Sequence, residues 1–199
     1  MRMRLSAMIV CSFGCFVLAQ PARATMMEHE IDPEHSAIVF KVMHQGISYV
    51  WGRFDGISGT VKVDSFSSPK EIEFYVEVNA GSIDTNNKKR DRELAKKDFL
   101  DTSKHRKITF ESKSSKRLDE GVLEVTGDLT LLGKTRPLTV TFRVLGSTKE
   151  SDFKNRIGGE TTFTIKRSDF GMTNMLDSIG DEVTLMVNIE AVSKMRPAG

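Results

Sequence analysis

Residues 72–80, IEFYVEVNA, alternate apolar and polar side chains along the chain. Successive side chains of a β-strand point to opposite faces, so this spacing predicts a strand with one buried and one solvated face. We expect Glu73 and Glu77 to lie in water. The side chains expected to face the interior are Phe74, Val76 and Val78.

The same alternation recurs in PLTVTFRVLG, residues 137–146, and in DEVTLMVNIEA, residues 181–191. In the first of these, Phe142 and Val144 are expected inside and Arg143 outside. Turn-forming residues separate most of the segments, and the pattern predicts an all-β chain of about eight antiparallel strands. Weaker versions of the pattern occur at 36–44, 50–63, 107–113, 122–131 and 157–166.

Closure into an eight-stranded barrel suits such strands best, because closure removes exposed sheet edges. A barrel of eight strands is either just filled by its side chains or just wide enough for one small ligand. A packed core and an apolar lumen give the same hydrophobic pattern, so the periodicity leaves both open.

One segment, NNKKRDRELAKKDFL at residues 86–100, is helical in character. Asp84, Thr85 or Asn86 is suited to cap it, and we expect a short helix near residues 86–98 over one end of the barrel. Its interleaved basic and acidic side chains are typical of a solvated helix face. The alternative is a docking site for an anionic head group or partner.

The first 24 residues have the organisation of a secretory signal peptide. Arg2 and Arg4 precede a short apolar stretch, and Ala22 to Ala24 supply a small-residue cleavage pattern. We therefore expect cleavage after Ala24, export to the periplasm, and a single barrel domain at 25–199. A retained N-terminal anchor and a lipoprotein acylated on Cys15 are the alternatives.

Removal of residues 1–24 changes what the composition implies. Both cysteines leave, so disulfides, cysteine catalysis and thiolate metal sites are excluded from the remaining chain. Three arginines leave as well, so 26 basic side chains face 27 acidic ones. A near-neutral domain gives no electrostatic reason to expect nucleic-acid binding.

Two histidines, His35 and His44, bracket the apolar strand HSAIVFKVMHQG. They are nine positions apart, so on a regular strand they point to opposite faces and cannot share a metal. His44 shares the parity of Phe40 and Val42 and is expected to face the interior near a strand end. Its role is either hydrogen bonding at that end or contact with a polar ligand head. No cofactor or metal site is expected.

The chain resembles the YceI-like, lipocalin-like polyisoprenoid-binding proteins over nearly all of its length after the signal. The resemblance rests on motifs that occur in order and at sensible spacing. They are IDPEHSAIVFKVMHQGISYVWGRF, SIDTNNKKRDRELAKKDFLD, KITFES, VTGDLTLLGKTRPLTVTF, FTIKRSDFGM and VTLMVNIEA.

The resemblance implies a lipocalin-like barrel with an apolar tunnel that holds a long isoprenoid such as a quinone tail. It implies a secreted or periplasmic, non-enzymatic protein that sequesters or carries this lipid or a related one. Transient contact with a membrane or membrane protein is compatible with that role, and the oligomeric state is open, a homodimer being one option. The residues expected to contact the ligand are Phe40, Val42, His44, Phe54, Phe74, Val76, Val140, Phe142, Phe163, Ile165, Arg167, Asp169, Phe170, Leu185 and Val187.

Two hypotheses from other classes remain. The chain could be a secreted enzyme that acts on a small apolar substrate at the barrel mouth with His44 as general base. Alternatively, it could be a solid-core barrel that serves as an interaction module, which the absence of an internal cavity would distinguish.

Overall fold

Eleven β-strands and one α-helix make up the parts of the chain that the computed structural model describes, residues 25–151 and 154–194. Residues 1–24, for which the sequence predicts a signal peptide, lie outside the described residues. Within the described ranges, no helix is long and apolar enough to cross a membrane. The elements are β1 (Met27–Ile31), β2 (Ala37–His44), β3 (Ser48–Phe54), β4 (Ile57–Val63), β5 (Ile72–Asn79), β6 (Ile83–Asp84), α1 (Lys88–Leu94), β7 (Lys107–Asp119), β8 (Val122–Leu131), β9 (Lys134–Ser151), β10 (Lys154–Lys166) and β11 (Ile179–Lys194), with 3₁₀ turns at Ala80–Ser82 and Arg167–Phe170.

The predicted eight-stranded antiparallel barrel is confirmed. The sheet runs β1-β4-β5-β7-β8-β9-β10-β11, and β1 closes it by pairing with β11. The part of β11 from Ile179 to Asn188, which we call its upper part, pairs instead with β2. The strand β3 pairs with the other edge of β2, and the short β6 pairs with β3. The strands β1 and β2 thus follow one another along β11.

The segment predicted as one strand at 50–63 forms two strands, β3 and β4, with a bend at Asp55 and Gly56. The Gly56 N–H donates to Ser82 Oγ at 2.8 Å, which anchors the bend to the 3₁₀ turn after β5. A Cβ at position 56 would lie 2.9 Å from the Cβ of Asn79, so the close approach requires glycine. Because of this bend, the two halves of the segment pair with different strands: β3 pairs with β2, and β4 pairs with β1.

The predicted alternation is confirmed on the strands that carry it most clearly. Phe74, Val76 and Val78 are buried, and Phe142 is 4 % exposed. Glu73 and Glu77 are half-buried on the outer face, where Glu77 accepts a hydrogen bond from Lys107. These inward side chains belong to one large cluster whose fully buried centre contains Val63, Ile72, Leu123, Val125 and Ala191.

The helix is shorter than predicted and has a different cap. It spans Lys88–Leu94, and the Asn87 side chain accepts from the N–H groups of Lys89 and Arg90. None of the three predicted capping residues holds that position. Asp84 instead accepts from the Asn86 N–H, a turn that precedes the helix.

The strands β9 and β10 separate in the upper part of the barrel. Their pairing ends at Arg143 and Glu160, and the 3₁₀ turn Arg167–Phe170 packs against β9 and β11 beyond that point. Phe170 is buried in a second apolar cluster with Leu100 and Leu129. The turn therefore fills the wedge that the divergence of two strands would leave open.

Candidate functional site

The barrel contains an apolar cavity of two adjoining chambers. The outer chamber has a volume of about 500 Å³ and the inner chamber one of about 100 Å³. The outer volume lies within the range of roughly 300–1,000 Å³ that is typical of small-molecule sites. Five side chains line both chambers and form a waist between them, namely Phe54, Ile108, Leu129, Phe163 and Leu185.

The inner chamber lies in the lumen of the barrel and is lined almost entirely by hydrocarbon. Val140 and Val187 form parts of its wall. The rings of Phe74 and Phe142 meet edge to face with centroids 4.8 Å apart and narrow it. The inner chamber therefore offers a ligand almost exclusively apolar contacts.

The outer chamber lies between the β2–β3 hairpin, helix α1 and the upper parts of β8, β10 and β11. The rings of Phe40 and Phe54 stand 5.6 Å apart on adjacent strands of the hairpin. A Cβ at Gly52 would overlap the Phe40 ring, so the glycine allows that ring to lie over β3. This contact fixes one wall of the chamber.

Polar groups reach the outer chamber at only a few points, chiefly Arg90, Arg167 and His44. Arg167 is 3 % exposed, and burial lowers the pKa of its guanidinium. Arg90 donates to the Thr85 hydroxyl and carbonyl, both at 2.7 Å. The outer chamber therefore has cationic groups at its boundary, whereas the inner chamber has none among its lining residues.

The structure brings most of the predicted ligand-contacting residues to the cavity walls, and two of them lie elsewhere. Asp169 is exposed on the 3₁₀ turn. Phe170 packs behind the wall, against Leu129 and Leu131, which themselves line the chamber. Both residues were predicted to contact the ligand because they belong to the motif FTIKRSDFGM. In the structure, this part of the turn supports the wall but does not line the cavity.

Several residues that line the outer chamber were not predicted from the sequence. Leu94, Phe99 and Leu100 follow from the helical segment and form one wall of the outer chamber. They were the main apolar side chains in an otherwise charged segment, a signal that they pack against the barrel. Met172 and Ile179, on either side of the segment after the 3₁₀ turn, also line this chamber and carried no comparable signal.

The presence of a cavity contradicts the solid-core alternative. The enzymatic alternative assigns the role of general base to His44, which lines the outer chamber. The ring faces apolar side chains such as Val42 and Ile179.

A second cluster of ionisable groups lies on the outer surface where β1 bends into β2. The His35 Nδ1–H donates to Asp32 Oδ2 at 2.9 Å, and its distance to Glu190 Oε1 is 4.0 Å. These three side chains are the trio with metal-ligand geometry among residues 25–151 and 154–194. However, Arg156 donates to the same Asp32 oxygen at 2.8 Å and also pairs with Glu190.

The single guanidinium therefore pairs with both carboxylates that a cation would need. The hydrogen bond from Arg156, followed by that from His35, lowers the pKa of Asp32 to about 2. The cluster acts as an ion-pair clamp that fastens the bend to β10 and β11.

Comparison with known proteins places this architecture among related chains. The YceI-like domain family matches residues 29–191. Protein YceI of Escherichia coli O157:H7 is 35 % identical over 173 residues, which cover 86 % of this chain and 90 % of that protein. The crystal structure of the Campylobacter jejuni YceI protein is 30 % identical, with a TM-score of 0.69 over 76 % of this chain and 90 % of that one.

A polyisoprenoid binding domain from Saccharophagus degradans, implicated in plant cell wall breakdown, has a similar fold. Its TM-score is 0.63 at 14 % identity, over 85 % of this chain and 99 % of that one. At this level of identity the likeness concerns the fold alone.

Proposed function

Since the chain belongs to the YceI-like family, we propose that it binds a long-chain isoprenoid, such as a quinone-like lipid, in the two chambers and sequesters or carries it. The observation that supports this most is the apolar cavity of two adjoining chambers, with volumes of about 500 and 100 Å³ on either side of the waist that includes Phe54. The structural similarity to a polyisoprenoid binding domain is consistent with it.

The distribution of polar groups supports one orientation for the lipid. A polar head group placed in the inner chamber would lose its water without gaining partners there, which costs free energy. The tail therefore occupies the inner chamber and passes the waist, and the head stays in the outer chamber near Arg90, Arg167 and His44. Each buried CH₂ contributes about 0.8 kcal/mol, so a tail of about ten carbons supplies most of the affinity without specific polar contacts.

The protein has no covalent chemistry in this proposal and requires no cofactor. The N-terminal sequence supports export to the periplasm with cleavage after Ala24. Intact mass of the exported protein tests this part: a chain that begins at Thr25 is expected. A retained segment 1–24 or a lipid on Cys15 would contradict it.

The binding function is tested by organic extraction of protein purified from its native compartment, followed by mass spectrometry. A prenyl lipid in about equimolar amount is the expected result. In vitro, affinity for prenyl quinones should rise with tail length and change only modestly with the head group. Protein that is empty on extraction and binds neither prenyl quinones nor fatty acids in vitro would contradict the proposal.

A further inference from the structure

Exposed apolar side chains surround the tip of the β2–β3 hairpin. Ile47 is 82 % exposed in the turn, and Met175 and Leu176 are 53 % and 41 % exposed in the segment before β11. The Gln45 N–H donates to the Ser178 carbonyl at 2.7 Å, which joins the turn to that segment. Ile47, Met175 and Leu176 thus form one continuous edge, called here the apolar rim.

A band of aromatic side chains lies next to the rim on the outer face of β3. Tyr49 and Trp51 are about half exposed there. Lys41 lies across both, with Nζ 4.7 Å from the Tyr49 ring centroid and 5.7 Å from that of Trp51. At about 3.3 Å per residue, Trp51 is roughly 13 Å from Ile47 along the strand.

The rim lies beside the outer chamber. Ser48 lies between Ile47 and Tyr49 and lines the outer chamber, as does Met172 at the start of the segment that carries Met175. A lipid that enters or leaves the chamber at this end passes the apolar rim.

We propose that the apolar rim and the aromatic band form a docking surface for an anionic phospholipid bilayer, across which the lipid exchanges with the outer chamber. Exchange of the lipid rests on the proposed lipid-binding function, whereas docking to the bilayer rests on the exposed side chains alone. Tryptophan and tyrosine are enriched at membrane–water interfaces, and a lysine stem lies along apolar surface with its charge in water. Ile47, the most exposed apolar side chain of the rim, lies in a hairpin turn, a position that suits insertion among lipid head groups.

The charge beside the chamber agrees with an anionic surface. Helix α1 carries four basic side chains and two acidic ones. Asp91 is turned inward, where it accepts from the Thr85 N–H and hydroxyl at 2.9 and 2.6 Å. Lys88, Lys89 and Arg92 are exposed, while Arg90 and Leu94 of the same helix line the chamber. Juxtamembrane basic groups of this kind are attracted to anionic lipids.

Trp51 is the single tryptophan of the chain, so its fluorescence reports on this surface alone. The probe is a vesicle of phosphatidylethanolamine and phosphatidylglycerol, compared with one of phosphatidylcholine. We expect a blue shift of Trp51 emission and quenching by brominated phospholipids with the anionic vesicles, weakened by salt. Ile47→Asp should reduce vesicle binding severalfold. The matched control is Leu118→Asp, since Leu118 is 50 % exposed at the opposite end of the barrel, beside the β7–β8 turn.

Delivery of a prenyl quinone from ethanol, with no membrane present, separates this proposal from the proposed function. Ile47→Asp protein that binds the quinone normally but no longer binds vesicles supports the docking surface. Wild-type protein that binds the quinone but not anionic vesicles overturns the docking surface and leaves the function standing. Wild-type protein that binds anionic vesicles but not the quinone supports the docking surface and overturns the proposed function. A dimer that Ile47→Asp dissociates, together with no vesicle binding, overturns the proposal in favour of an interface between copies.

Discussion

At the scale of single residues, His29 is the least expected group. It is 1 % exposed on β1, its ring stacks on Phe66 with centroids 6.2 Å apart, and Nδ1 lies 3.2 Å from the Met27 carbonyl oxygen. Among the described residues, its Nε2 has no hydrogen-bond partner. Burial lowers the pKa of the His29 ring, despite the opposing hydrogen bond that the ring donates to the Met27 carbonyl.

This burial predicts a loss of stability on acidification. The unfolded chain takes up a proton at His29 near pH 6.5, whereas the native state resists protonation until a lower pH. The free energy of unfolding therefore falls as the pH drops through about 6.5. His29→Gln removes this dependence, so the wild-type protein should lose more stability than the variant between pH 7.5 and pH 5.5 in urea unfolding. Parallel losses in the two proteins would contradict the prediction.

His35 provides a control, because its contribution to stability changes with pH in the opposite direction. Its hydrogen bond to Asp32 raises the pKa of the imidazole. The stabilisation by protonated His35 is therefore complete below the pKa that His35 has in the unfolded chain. It is lost as the pH rises through the pKa that His35 has in the folded protein. His35→Asn should thus destabilise the protein more at pH 5.5 than at pH 8, the reverse of His29→Gln.

At the scale of elements, Arg167 organises the upper end of the barrel. It stands at the end of β10, and its guanidinium donates to four backbone carbonyls at 2.8–2.9 Å. The acceptors are the carbonyls of Met172, Asn174, Ile179 and Gly180. One buried side chain therefore holds the segment that carries part of the apolar rim.

Arg167→Met should destabilise the protein by about 3 kcal/mol, because it leaves several buried carbonyls without a donor. Arg167→Lys should recover little, since a single ammonium does not reproduce the planar fork of donors. Chemical denaturation measures the loss, and hydrogen exchange should increase first in residues 172–180. Arg136→Met is the control, because Arg136 is exposed and bonds only its neighbour's carbonyl. Unchanged exchange in that segment of the Arg167→Met variant would rule out the role assigned to this side chain.

Elements with strict alternation could be predicted from the sequence, and those defined by distant partners could not. The strand IEFYVEVN met the prediction along its whole length. In contrast, β1 has the sequence MEHEI, which carries charges and has little apolar content, and it is a strand because β4 and β11 pair with its two edges. The bend at Gly56 likewise depends on Ser82, which lies 26 residues away.

At the scale of the whole molecule, the interior could be predicted only in part. The inward parity of Phe40, Phe142 and Val187 followed from the sequence, and all three line the cavity. The sequence did not show whether the interior is packed or hollow, because the presence of a cavity depends on the distance between opposite walls of the barrel. The volume of the outer chamber arises from the added hairpin and the covering helix, two features of tertiary structure.

The size of the inner chamber sets the length of tail that the whole barrel accepts, and this gives a direct test. Val140 lies in the wall of this chamber and is 9 % exposed, whereas the adjacent Thr141 faces outward. Val140→Trp should fill much of a volume of only about 100 Å³, so the tail can no longer pass the waist fully. Val187→Trp should act in the same way from β11, two strands away in the wall of the same chamber.

The expected result is that affinity of the Val140→Trp protein stops rising at a shorter tail in a series of prenyl quinones, while short-tailed members bind as before. Each isoprene unit excluded should forfeit a gain of about 0.8 kcal/mol per CH₂ otherwise buried. Thr141→Trp adds the same bulk outside the barrel and should leave the series unchanged. His44→Ala, at the outer chamber, should shift all members by a similar small factor. If Val140→Trp and Thr141→Trp gave the same length dependence as the wild type, the tail would not occupy the inner chamber, and the lipid would have to lie wholly above the waist.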